Sequence, residues 1–191
     1  FSAARRDGTA YGITHRLRFA DGRIRHIHER GEIVRDSEGS ALFARGTAQD
    51  ISELHHAQEA LQLYANIFHH SGEAILVTDR DNNIIEANPA FTRQTGYTIE
   101  EIRGRNPSLL ASGRTPQETY ERMWEALSDT GYWQGELWDR NRSGEIYPKW
   151  AAISVIRDAD GQPTHHIASF TDISERKAAE ARIEHLAHHD S

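Results

Sequence analysis

Twelve histidines are the first residues in this chain that invite chemistry, and most come as adjacent pairs: His55-His56, His69-His70, His165-His166 and His188-His189. Neighbouring side chains diverge on both a helix and a strand, so such a pair cannot close on one ion. His185 and His189 stand i, i+4 on an expected helix, but no carboxylate-bearing metal motif accompanies them. No metal site is therefore expected. His26 and His28 share a strand face and read as surface or interface residues. Glu100-Glu101 falls at an expected helix start, where the helix dipole favours negative charge without any acid–base role. Gly96, Gly104, Gly113 and Gly131 are spaced as helix stops and turns, not as a loop cradling phosphate. With no cysteine, disulfides, thiolate metal ligands, cysteine nucleophiles and cysteine-linked flavin are excluded. Catalysis by these residues is not expected.

The elements that must position any site come from 191 residues, enough for one ordinary domain and part of another. A net charge of −7, with no Lys/Arg cluster, argues against nucleic acid and against an anionic membrane surface. No strictly apolar run exceeds four residues, as in Ala74–Val77, against the roughly 20 that span a bilayer. A soluble, cytoplasmic chain without direct membrane contact is expected. It begins at Phe1 and its one methionine is Met123, so it reads as part of a longer protein.

An offset of 122 aligns residues 18–53 with 140–175 without a gap, and ten of those 36 positions are identical. Each copy reads as strands joined by Gly turns, then Asp-Ile-Ser-Glu, where Asp caps a helix. Only the second copy has a full N-terminal half. Strands at Ala74–Asp79 and Ile84–Asn88 lead to Pro89, which can open a helix. A longer helix follows over Thr115–Gly131, with Thr115 as cap, Pro116 first and Gly131 as stop. Its stripe Tyr120, Met123, Trp124, Leu127 predicts a buried face. Two strands, several helices, three strands and an exit helix predict an α+β fold, an antiparallel sheet with its helices on one side.

With "ANPAFTRQTGYTIEEIRGRNPSLLASGRTPQETYERMWEAL", "GYWQGELWDRNRSGEIYP" and "TDISERK", this order resembles PAS domains with their C-terminal PAC portion. The resemblance implies the PAS fold, a five-stranded antiparallel sheet flanked by long connecting helices. It divides the chain into the last strands of a first PAS domain (1–53), a connecting helix (54–70), a complete PAS domain (71–174) and an exit helix (175–191). The closing "RIEHLAHHDS" is similar to the lead-in of GGDEF domains, which make cyclic di-GMP, so a downstream diguanylate cyclase in cis is expected outside these residues.

PAS domains hold haem, flavin, a metabolite or nothing, and the fold does not choose among them. Residues 105–133 contain no histidine, which disfavours haem. The stretch around "GRNPSLLASG" looks similar to FAD-binding PAS domains of the NifL type. By that resemblance, Asn106 and Trp124 would lie against a noncovalent FAD or FMN, the amide meeting the pyrimidine edge of the ring. The pocket would sit between the long helix and the sheet, lined by Asn88, Asn106, Trp124, Trp138 and Ile153. Two other readings fit the same residues: a different small ligand, or a solid core in which Asn106 only caps a turn and Trp124 only packs. As core, Trp124→Ala would cost roughly 3–5 kcal/mol. The leading expectation is a sensory and dimerisation module. A ligand-free structural and protein-interaction module and a flavin redox enzyme are the alternatives.

The two exit helices carry apolar stripes in matching phase, Ala57, Leu61, Tyr64 and Ala179, Ile183, Leu186. Such stripes suit a parallel two-helix seam. A homodimer is therefore expected, its signal carried by residues 55–68 and 177–186.

Overall fold

A computed structural model describes residues 10–189, which form two compact units dividing between Ala65 and Asn66. The first holds β1 (Tyr11–Arg18), β2 (Ile24–Arg35) and β3 (Ala41–Asp50) as an antiparallel sheet in that order, and then the start of α1 (Ser52–His70). The second opens with β4 (Ala74–Asp79) and β5 (Ile84–Ala87). Short helices α2 (Pro89–Thr95) and α3 (Ile99–Ile102), a 3₁₀ turn (Pro107–Leu110) and α4 (Gln117–Asp129) follow. Then come β6 (Tyr132–Arg140), β7 (Ile146–Arg157), β8 (Pro163–Asp172) and α5 (Ser174–His189). Its five strands pair antiparallel in the order β5-β4-β8-β7-β6. The expected α+β architecture is what forms. The unit boundary falls inside α1.

The sequence repeat is also a structural repeat. Adding 122 to the bounds of β2 and β3 gives those of β7 and β8, and Tyr11↔Gly31 becomes Trp133↔Ile153. Even the register shift recurs, between Val34 and Arg35 and between Ile156 and Arg157. Local chemistry explains this fidelity. Asp36 and Asp158 each accept backbone N–H groups two and four residues on, fixing the turn before Gly39 and Gly161, both at positive φ. Asp50 and Asp172 likewise accept from the N–H of Ser52 and Ser174 at 2.9 and 2.8 Å, tying the first turn of each exit helix to the strand before it.

The core of the second unit lies between the sheet and its helices. Phe91, Ile84 and Ile102 are fully buried, and Phe91 meets Phe170 edge-to-face with centroids 5.9 Å apart. α4 departs from expectation at its start. Pro116 is the cap, and the Thr115 hydroxyl instead accepts the Trp138 N–H at 2.8 Å, joining the helix approach to β6. Gly131 stops α4 at φ +75°, as expected.

In the first unit the helix start is built on histidines. The His26 N–H donates to Ser52 Oγ at 2.9 Å, and the His26 carbonyl accepts from Ile51 at 2.8 Å. The His26 and His55 rings stack 3.8 Å apart at an interplanar angle of 7°, with His56 edge-on to both. Burial holds His26 below the ordinary imidazole range; His55, His56 and Arg16 push the same way, and Glu59 opposes them. A proton here would also meet the positive end of the α1 dipole. The sign follows from linkage: the unfolded chain takes the proton more readily than the folded one. The stability contributed by neutral His26 is complete above its unfolded value of 6.5 and is lost as pH falls from there toward the depressed folded value. Protection factors of the amides at 51–60, corrected for intrinsic exchange, should fall between about pH 7.5 and about pH 5.5. In His26→Asn that fall should largely disappear; an unchanged fall would place the titrating group elsewhere.

Candidate functional site

Strand pleating decides which side chains the sheet offers to its helices. From β7 these are Lys149, Ala151 and Ile153; from β8, His166, Ala168 and Phe170; from β6, Leu137 and Asp139; from β4, Leu76 and Thr78. Opposite them, α4 supplies Tyr120, Met123 and Leu127, and Pro107–Ala111 forms a side wall. The wall is fixed to the edge strand by a bridge from Ala111 to Asp139 and by Ser112 Oγ donating to the Trp138 carbonyl at 2.5 Å. Between these layers lies a cavity of about 300 Å³, mostly apolar, whose more exposed side carries Asn106 and Trp124. That volume is at the small end of ligand sites.

One charged pair lies inside this apolar space. Lys149 Nζ donates to Asp139 Oδ2 at 2.5 Å, with the two side chains only 9% and 5% exposed, and the ammonium sits 4.1 Å from the centre of the Phe170 ring. Tyr147, on the same strand as Lys149 and opposite Asp139 in the register, is buried with a hydroxyl that has no hydrogen-bond partner. Burial, with Asp139 and Asp172 adding to it, raises the Tyr147 phenol well above its ordinary range, so it stays protonated. Desolvating two charges offsets most of their attraction, so this pair contributes little to stability against an apolar replacement. Sequence reading missed it because each residue alone looks like a solvent-facing strand charge. Pairing β6 with β7 about the Gly144 turn makes them diagonal neighbours on one face.

Of the five expected site residues, the structure brings three to the cavity. Asn106, Trp124 and Ile153 line it; Asn88 and Trp138 do not. Trp138 alternates with Leu137 and Asp139 and so faces the other side of the sheet, where the Arg114 guanidinium stacks 3.8 Å from its ring centre. Asn88 is 1% exposed and holds four backbone groups. Its Oδ1 accepts from Ile75 and Phe91 at 2.9 and 3.0 Å, and its Nδ2 donates to the carbonyls of Phe68 and Glu73 at 3.2 and 2.9 Å. Asn106 combines both of its readings: its Oδ1 caps the 3₁₀ turn through Ser108 N at 2.9 Å while the residue lines the cavity.

Trp124 is 44% exposed, not buried as its stripe suggested; Met123 and Leu127 take the inner positions, and the indole meets His166 edge-on at 6.0 Å. Among the described residues no group of three His, Asp or Glu could hold a metal ion. His185 and His189 lie outside the residues whose side chains are described.

Two substitutions separate scaffold from rim. Asn88→Ala should lower stability by about 2–4 kcal/mol, because it removes a cap and strands buried backbone groups. Trp124→Ala, at a half-exposed position, should cost about 1–2 kcal/mol. Urea unfolding of both checks this, and equal losses would return Trp124 to the core.

The chain is 38% identical to a nitrogen fixation regulatory protein of Klebsiella oxytoca over 121 residues, which is 63% of this chain and 24% of that protein. It is 29% identical to the biofilm dispersion protein BdlA of Pseudomonas aeruginosa over 161 residues, 81% of this chain and 38% of that one. The chain thus spans about a quarter to two fifths of these relatives' lengths. Among solved structures, a PAS domain from Colwellia psychrerythraea matches with a TM-score of 0.57 at 23% identity, covering 61% of this chain and 98% of that one. No helix among the described residues is long and apolar enough to cross a membrane. Residues 62–173 match the PAS fold, and the chain belongs to the PAS family.

Proposed function

We propose that this chain is the sensory part of a signalling protein, that its cavity holds a small planar ligand, and that the ligand is a noncovalent flavin. The observation that carries this reading is the cavity itself, about 300 Å³ of mostly apolar space set between α4 and the sheet. A solid core would have closed it, since protein interiors pack with few voids larger than water. The residues suit a flavin ring: apolar walls for its faces, an indole at the rim, and one electrically neutral polar pair within. A flavin would supply a reversible redox couple whose state alters the ring's shape and charge. The chain's part would be to bind and orient the ring by Met123, Leu127, Ala151 and Phe170 and to shield it from bulk water. Kinship with a regulatory protein of nitrogen fixation supports a sensory role.

For the output we propose a diguanylate cyclase downstream in cis, reached through α5, in a homodimer paired along α1 and α5. Exposure supports the pairing: Leu61, Tyr64 and Ile183 are 68%, 65% and 67% exposed, apolar side chains on helices that leave their own sheets. A register shift or rotation of paired helices is a direct way for cavity occupancy to reorient two catalytic halves.

The absorption spectrum of the purified chain tests the ligand. Flavin bands that leave with the small-molecule fraction on denaturation support it, and colourless protein of apo mass in native mass spectrometry would favour the ligand-free interaction module. The output is tested in the full-length protein by insertions after Ala179. Four residues rotate the helix by about 40° and seven by about −20°. Cyclase activity should change sharply with four and return with seven; indifference to both would remove α5 from the signal path.

A further inference from the structure

We infer that Asp139 and Lys149, rather than Asn106, are the specificity anchor of the cavity, and that they take a neutral ligand edge presenting an N–H beside a C=O, as an imide or lactam does. The inference rests on reading the cavity as a ligand site and adds what that ligand must offer.

Three observations lead to it. Asn106, the residue that resemblance assigns to such an edge, already uses both ends of its amide locally. Its Oδ1 accepts from Ser108 N at 2.9 Å and its Nδ2 donates to the Asn82 carbonyl at 3.2 Å. His166 is similarly engaged, its Nδ1 lying 3.4 Å from Thr78 Oγ1 and 3.3 Å from the Asp79 carbonyl. The Asp139–Lys149 pair, by contrast, has capacity left over. Lys149 carries three protons and gives one to Asp139; Asp139 Oδ1 takes no hydrogen bond among the described residues.

Charge then selects the ligand. The pair is neutral as a unit and more than nine-tenths buried. An anion on Lys149 would add a second negative charge beside Asp139, and a cation on Asp139 a second positive charge beside Lys149; either leaves one net charge buried, at a large cost. An edge with one acceptor for Lys149 and one donor for Asp139 adds two charge-assisted hydrogen bonds and separates nothing. Because replacing such a pair by apolar residues is roughly neutral for stability, its presence in an otherwise apolar cavity is better explained by recognition than by folding.

The test uses lumichrome, a neutral tricycle whose N1–H and N3–H each stand beside a C=O, its N1,N3-dimethyl derivative, which lacks both donors, and naphthalene as an apolar control. Each is titrated by fluorescence into the purified chain. Lumichrome should bind about tenfold or more tighter than the dimethyl derivative. In the double variant D139L/K149M, whose urea midpoint should stay near that of the parent chain, the two should bind equally. A second readout needs no variant: the 13C resonances of Lys149 Cε and Asp139 Cγ should move with lumichrome and not with naphthalene. Naphthalene binding without preference for lumichrome, or a preference that survives D139L/K149M, overturns the anchor and leaves the cavity as a ligand site. Binding of none of the three removes the ligand site along with it.

Discussion

A single carboxamide sets the frame on which the second unit is hung. Asn88 joins the end of α1, the approach to β4, the first residues of β4 and the first turn of α2 through four hydrogen bonds, at 1% exposure. The bond to the Phe91 N–H is buried and the other three are partly buried, so losing the amide costs more than an ordinary exposed hydrogen bond. By fixing where β4 begins, the amide also fixes which of its residues face inward, and so places Leu76 and Thr78 on the cavity wall. Two asparagines that look alike in sequence are thus placed differently: Asn88 lies in the hydrogen-bonded interior, and Asn106 lies at the exposed edge of the cavity.

What could be read from the sequence alone was the repeat, from 36 aligned positions, and the Asp-Ile-Ser-Glu helix starts and the Gly131 stop, from patterns a few residues long; the place of the cavity between the long helix and the sheet came with the family resemblance. The departures share one cause: tertiary partners outbid local ones. Thr115 stands where a cap belongs, but the Trp138 N–H on β6 takes its hydroxyl. Trp124 falls in the apolar stripe, yet the cavity beneath that part of α4 lets the indole remain 44% exposed while Met123 and Leu127 go inward. Trp138 is expected in the cavity lining, but pleating turns it away from the face that carries Leu137 and Asp139. Asp139 and Lys149 are ten residues apart, and only the register of β6 on β7 makes them neighbours.

The two copies of the three-stranded motif show how little of the chemistry belongs to the backbone. At the positions equivalent to Asp139, Lys149 and Ile153, the first unit has Leu17, Ile27 and Gly31. Strand bounds, register and register shift are shared, but the charged pair is not. Where the second unit starts its exit helix beside Pro148, the first has His26, whose N–H can hold Ser52 and whose ring can titrate. One geometry therefore carries a cavity-facing polar pair in one copy and a histidine stack in the other.

Strand order has a consequence for how the second unit comes into being. β8 lies between β4 and β7, and its pairing with β4 matches Ala74 to Phe170 and Asp79 to His165. Nearly the whole unit must leave the ribosome before that ladder can form, whereas β6, β7 and β8 meet through short turns. Loop-closure entropy makes such distant pairing late. The β4–β8 ladder, which completes the floor of the cavity, therefore forms late, after α4 has emerged. A hydrophobic ligand present during synthesis can be enclosed as the final strand zips into place, so loading would not need a path through the finished wall.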